Sequence, residues 1–372
     1  MVSVRLVSAL LVAGGLAACA STAETAVPSE PGSPVARPGP DTTAPSTEVP
    51  PSTVVAAPDG TAAEPGETVP GLAAVDRAAA MCARSGTETS GVVANAQLTE
   101  ASGIVASRTH PDVLWSHNDG SLAPGVFAIG PDGLDLGFHR LVGVDAVDVE
   151  DIALVGTGDG DDILLADIGD NGAIRESITV FRFREPDPAV VGEVTDVERL
   201  EFVYPDGPHN AEVLLVDDAA GRVVIVTKEQ ARATDGTPND FGNTLPSLVF
   251  EGSLEGHGAE PVELVAAGVV DMPRLEGLAQ SDEPHPATLL GFGGLPTGGD
   301  VSADGALIVL RTYETAWLWS REIGQTVSEA LAGEPCEVRT VPEPQGEAIA
   351  FAGGALVTLG EGVNRPLHRI AL

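Results

Sequence analysis

A two-strand unit recurs five times between residues 100 and 361. It opens on an acid, runs into a short apolar stretch, turns, and gives a second apolar stretch ending in polar residues. The copies are Glu100-Ala-Ser-Gly-Ile-Val with Val113-Leu-Trp-Ser-His117-Asn118-Asp119, and Glu150-Asp-Ile-Ala-Leu-Val with Ile163-Leu-Leu-Ala-Asp167-Ile-Gly-Asp170-Asn171. Glu212-Val-Leu-Leu-Val with Val223-Val-Ile-Val-Thr-Lys228-Glu229 follows, then Asp300-Val-Ser-Ala-Asp-Gly with Leu307-Ile-Val-Leu-Arg311-Thr-Tyr313, and Glu347-Ala-Ile-Ala-Phe with Leu356-Val-Thr-Leu-Gly-Glu361. Short Val/Ile/Leu runs between Gly, Asp, Pro and Asn turns read as strands. A hairpin cannot bury both of its faces alone, so repeated hairpins must pack on one another around an axis. The expected fold is all-β, a single β-propeller.

Unit starts 47 to 88 residues apart suit blades with insertions, and five blades are favoured. Arg274-Leu-Glu-Gly-Leu-Ala279 resembles another start and keeps six as the alternative, although only 24 residues separate Glu276 from Asp300. The last unit leaves room for about three strands. A strand near Val92 to Leu98 would supply the fourth and close the ring with both chain ends. Val327 to Ala332 is the best helix candidate.

Residues 1–18 pair one early Arg with an apolar run too short to span a bilayer, which fits a secretory signal. Leu16-Ala-Ala-Cys19 resembles the bacterial lipobox, so lipidation is expected at Cys19; the bland reading is a plain signal with a chance Cys. Residues 19–75 are rich in Pro, Ser, Thr and Ala, without apolar periodicity, and read as a disordered tether. The propeller then occupies 76–372. The expected place is the extracytoplasmic face of the cell membrane, held there by the lipid alone. Of three cysteines, Cys82 and Cys336 remain as a pair, near the start and end of the domain, and export permits a disulfide between them.

The chain carries 55 acids against 19 Lys and Arg, a net charge of −36, and its one Lys is Lys228. Only seven of the acids precede residue 76. Such a surface repels nucleic acid and anionic lipid and favours cations. The alternative is solubility together with GC-rich coding, which accounts for the scarcity of Lys.

In an antiparallel pair the start of one strand lies beside the end of the next. If each first strand lines the axis, Glu100, Glu150, Glu212, Asp300 and Glu347 converge on one mouth. Their neighbours would be His117, Asp119, Asp167, Asp170, Lys228, Arg311 and Glu361. Clustered carboxylates call for a cation, bases or raised pKa values, and hard oxygen donors suit Ca²⁺. The competing reading has each acid capping its blade on backbone N–H groups. Asp167-Ile-Gly-Asp170-Asn171 with Arg175 is the densest polar stretch. It is either a metal or oxyanion site or a turn held by Asx hydrogen bonds. His117 with Asp119 is either a base and its orienter or a hydrogen-bonded hairpin pair. Serine-hydrolase, zincin and P-loop motifs are absent.

Taken together, Glu100-Ala-Ser-Gly-Ile, Trp115-Ser-His-Asn-Asp119, Asp167-Ile-Gly-Asp-Asn171, Gly299-Asp-Val-Ser-Ala-Asp-Gly305 and Gln345-Gly-Glu-Ala-Ile349 resemble a family of poorly characterised bacterial propeller lipoproteins. More loosely they are similar to phytase-like and esterase-like propellers. The resemblance implies a ring with acids and calcium on one face, and no catalytic role transfers from it. Two functions follow as expectations. One is a monomeric, membrane-anchored module binding a ligand or envelope protein. The other is a Ca²⁺-dependent phosphate- or carboxylic-ester hydrolase in the same mouth, with Arg311 or Lys228 on the developing charge.

Overall fold

The computed structural model describes residues 73–83, 86–120, 124–231, 243–280 and 284–371. Residues 1–72, which include the expected signal, Cys19 and nearly all of the expected tether, lie outside them. Among the described residues the strands form five sheets, each opening on one of the repeated units, in a five-bladed β-propeller. The innermost strands are Ala101–Ala106, Val149–Gly156, Ala211–Asp217, Pro296–Val301 and Gly346–Ala352, for blades one to five. Each packs against the innermost strands of both neighbouring blades, so the five close around an axis.

The hydrophobic core is divided the same way, with one cluster at each blade interface. Trp115 and Val105 of blade one meet Ile152 and Leu154 of blade two. Ala153 and Leu164 of blade two meet Leu214 and Phe250 of blade three. Val213 and Val224 meet Ile308 and Trp319 of blade four, and Val309 meets Ile349 and Leu356 of blade five. Ala348 and Val357 then meet Ile104 and Phe127 of blade one. Strand residues thus point alternately to the two neighbouring blades, which is why the runs read as continuously apolar rather than as alternating.

Ring closure mixes the chain ends. Thr87–Val92 pairs antiparallel with Pro366–Ala371, the third strand of blade five, matching Thr87 with Ile370. The closing strand therefore ends at Val92, where the sequence reading had it begin. The stretch after Val92 instead carries Val93 and Leu98 into the core between blades five and one. A helix, Ala74–Cys82, precedes the strand and buries Ala78 and Met81 against blades four and five. It begins just ahead of the boundary read from composition. Cys82 at its end is disulfide-bonded to Cys336 on the outer strand of blade four, with 5.9 Å between Cα atoms.

The Arg274–Ala279 stretch is not a sixth blade. It belongs to a connection between blades three and four that contains two short helices, Met272–Glu276 and Pro286–Leu289. Asp271 caps the first through the Arg274 N–H, and a Pro near the start of each fixes the entry. The helix expected at Val327 is present at Val327–Leu331, with a Thr326/Glu329 capping box. Among the described residues no helix is long and apolar enough to cross a membrane.

Candidate functional site

The inner strands share an irregularity at one end. Pairing with the second strand breaks between Val149 and Asp151, Ala211 and Val213, Pro296 and Gly298, and Gly346 and Ala348. In blade one it breaks between Ala101 and Ile104. Each break is a β-bulge, which leaves a residue unpaired and re-aims its side chain. The bulged residues are Glu150, Glu212, Thr297 and Glu347, with Ser102-Gly103 in blade one. The residue just past the second strand is Asp119, Ile168, Lys228, Tyr313 and Glu361 in blades one to five; all line the cleft except Ile168, which is buried in the core between blades two and three. These two tiers build a cleft of about 210 Å³ lined by Asp119, Glu150, Glu212, Lys228, Tyr313, Glu347 and Glu361, with Phe292 and Leu295 as its apolar part.

The bulges decide which of the expected acids come together. Glu150, Glu212 and Glu347 do. Glu100 precedes its strand, is exposed, and stands outside the lining; the bulge position of blade one belongs to Ser102, whose hydroxyl lies 3.5 Å from Glu150 Oε2. Asp300 also stands apart. The bulge of blade four is Thr297, which donates to Gly346 O at 2.9 Å. Asp300 lies three residues further along, about 10 Å down the strand. Its carboxylate accepts the Val301 and Phe351 N–H groups, both at 2.8 Å, and stitches blade four to blade five. Asp151 does the same between blades two and three, accepting from Ile152 and Leu214.

Asp119, Asp148 and Glu150 form the tightest group, each offering an oxygen within 4.8 Å of the others. Asp119 hydrogen-bonds with Asp148, yet its Oδ1 is buried with no partner. Gly169 makes the approach possible. A Cβ there would lie 2.2 Å from Glu150 Oε1 and 2.5 Å from Asp148 Oδ2, so the two carboxylates occupy the space a side chain would take. The rest of the Asp167–Arg175 stretch supports them. Asp167 accepts from the Val147 and Asp148 N–H groups and pairs with Arg175 at 2.9 Å. Arg175 also donates to Gly169 O, and Asp170 accepts from the Ile174 and Arg175 N–H groups. Asp167, Asp170 and Arg175 are thus engaged in holding the turn, while Asn171 reaches the cleft. His117 is buried behind it. Its Nδ1 meets Asn118 O at 3.0 Å, and desolvation pushes its pKa down to about 4, so it is neutral.

Among the described residues, Lys228 is the cation that lines the cleft. It pairs with Glu212 and donates to Tyr313 Oη at 2.9 Å. Burial opposes its charge, but Glu212 and Tyr313 outweigh it and raise the pKa well above the ordinary value. Arg311 is not in the cleft. It is 1% exposed, with Nη2 2.5 Å from Glu343 Oε2 and Nη1 3.0 Å from Ala348 O.

Among the described residues, the one ammonium does not neutralise the six carboxyls at and beside the cleft. Desolvation and mutual repulsion push Asp119 and Glu212 up to about 7, and desolvation with Glu361 pushes Glu347 up to about 8. Glu347 and Glu361 share a hydrogen bond, which requires a proton between them. A carboxyl with a raised folded pKa binds its proton more tightly folded than unfolded. Its stabilisation is fully present below the unfolded value and is lost as pH rises through the folded one. Without divalent cations, the melting temperature is therefore expected to fall by several degrees between about pH 5 and about pH 8. A flat or rising profile across that window would show that these carboxyls are already neutralised by other means.

These features define a five-bladed β-propeller with an acidic axial cleft. No family model and no curated protein matches the chain. Solved structures similar to it include a gluconolactonase from Xanthomonas campestris, at 13% identity over 79% of this chain and 93% of that one, with a TM-score of 0.39. The β-propeller domain of Cps50 (Swd1) from Myceliophteria thermophila is 12% identical over 77% and 100%, with a TM-score of 0.35. A nidogen/laminin complex is 13% identical over 71% and 73%, with a TM-score of 0.38. No activity follows from likeness at this level.

Proposed function

We propose that the protein is a lipid-anchored, extracytoplasmic binding module whose cleft holds a divalent cation, calcium, on Asp119, Asp148 and Glu150. The observation that carries the reading is the buried, unpartnered Asp119 Oδ1 beside two carboxylates that share the space over Gly169. Hard oxygen donors without sulfur or imidazole are the set that Ca²⁺ takes, and Asn171 with water would complete a shell of six to eight. A bound cation would relieve the repulsion that otherwise requires shared protons. Binding is preferred over ester hydrolysis for a specific reason. The hydrolytic reading aims Arg311 or Lys228 at a developing negative charge, yet Arg311 is enclosed with Glu343, and Lys228 is held by Glu212 and Tyr313.

A calcium titration tests the reading. At a hundredfold excess over the dissociation constant, a ligand that binds only the folded state adds about 2.7 kcal/mol, or roughly 4 °C for a domain of this size. The shift should disappear in Asp148→Asn and Glu150→Gln, and in Gly169→Ala, which touches no ligand charge but fills the space the two carboxylates share. If millimolar Ca²⁺, Mg²⁺ and Mn²⁺ all leave the wild-type melting temperature unmoved, the site holds no such cation.

A further inference from the structure

The cleft's charge and rim identify the chemistry of a partner. Among the described residues, Asp119, Glu150, Glu212, Glu347 and Glu361 line the cleft with Lys228, and Asp148 lies against Asp119 and Glu150, so five negative charges remain when all six carboxyls are ionised. A divalent cation would remove two of them, and a proton held between Glu347 and Glu361 a third. Two are still left, so with its other carboxyls ionised the cleft stays anionic even then and is hostile to phosphate or carboxylate groups. Its volume, about 210 Å³, is below the roughly 300–1,000 Å³ of sites that enclose a whole small molecule, but it is ample for one long side chain.

Segments that supply cleft residues also carry exposed apolar side chains close by in sequence. Val147 is next to Asp148, Ile174 is three residues from Asn171, and Leu289 and Leu290 just precede Phe292. Their exposures are 59%, 79%, 73% and 62%. A charged well with exposed apolar side chains in the same segments offers a partner both a counter-charge and apolar contacts that exclude water from it.

We propose that the mouth docks a polypeptide partner by taking one of its Lys or Arg side chains into the cleft against Glu347 and Glu361, while apolar residues flanking that side chain pack on Val147, Ile174, Leu289 and Leu290. The inference rests on the cleft being a binding site, but not on calcium occupying it. The acidic surface as a whole, at −36 for the chain, steers such a partner inward.

The probe is a blocked leucine–lysine–leucine peptide, titrated calorimetrically into the full chain with calcium and again with a chelator. Its controls are the twin acetylated on the lysine Nζ and free lysine amide. The lysine peptide should bind at least about tenfold more tightly than either control in both conditions. The double variant Glu347→Gln, Glu361→Gln should reduce it to the level of the acetylated twin. Ile174→Ser with Leu289→Ser should weaken it about tenfold while leaving the calcium-induced melting shift intact. Equal binding of the two peptides overturns the proposal. So does an affinity indifferent to the rim substitutions, which would be ion exchange on an acidic surface, or a lysine amide that binds as tightly as the peptide. Peptide discrimination without a calcium shift would remove the cation and keep the docking site; the reverse would remove only the docking site.

Discussion

Opening the Cys82–Cys336 bridge, by reduction or by Cys82→Ala with Cys336→Ala, should lower the melting temperature by roughly 8 °C. The bridge joins residues 254 apart. For a loop of that length, loss of unfolded-chain entropy alone corresponds to about 5 kcal/mol. Unfolding entropy of about 2.1 cal/mol/K per residue over the domain turns this into the stated shift. The location adds to the effect, because the bridge fastens the Ala74–Cys82 helix to blade four while the strand that follows completes blade five. Calorimetry under oxidising and reducing conditions reads it directly. A change below about 2 °C would mean that the helix and closing strand hold without the covalent link.

Glu343→Gln should be of similar size, about 3–5 kcal/mol. It leaves the Arg311 guanidinium, 1% exposed, without its counter-charge. The remaining partner, Ala348 O, is neutral, and Arg311 Nε has no partner even in the native protein. Urea unfolding measures the loss. The companion test is Arg311→Met with Glu343→Leu, which removes both charges and should recover most of it. If the single variant costs under about 1 kcal/mol, the pair is not what joins blades four and five.

Arg311 also shows where sequence reading stopped. Its place near the end of a second strand suggested a role at the mouth, but the position that faces the mouth is one past the strand, where Tyr313 stands. The same offset brings Asp119, Lys228 and Glu361 to the cleft. The repeat itself was legible because five hairpins with a common hydrophobic pattern admit few arrangements. The blade number and the closure by both chain ends follow from it. A bulge adds one or two unpaired residues without changing composition, so from the repeat alone Glu100 and Asp300 look equivalent to Glu150, whereas Ser102 and Thr297 occupy that place. Asp148 is not among the acids that the repeat singles out, because it lies two residues ahead of the unit start at Glu150. Its signal was there in Asp148-Val-Glu150, two acids two residues apart beside a glycine-containing turn. The blade-three-to-four connection resembled a unit start in its Leu-Glu-Gly-Leu, and only its shortness argued against a blade.

The pairing of Thr87 with Ile370 has a consequence for how the molecule comes into being. A chain made amino end first presents its closing strand before any blade exists, and the partner of that strand, Pro366–Ala371, comes after every other described strand. Contacts this distant in sequence make folding slow, because the loop must close before the contact rewards it. Until then, one edge of blade five and the exposed interface of blade one stand open to other chains. Ring closure is therefore a late event, and the half-built ring is the state most prone to aggregate.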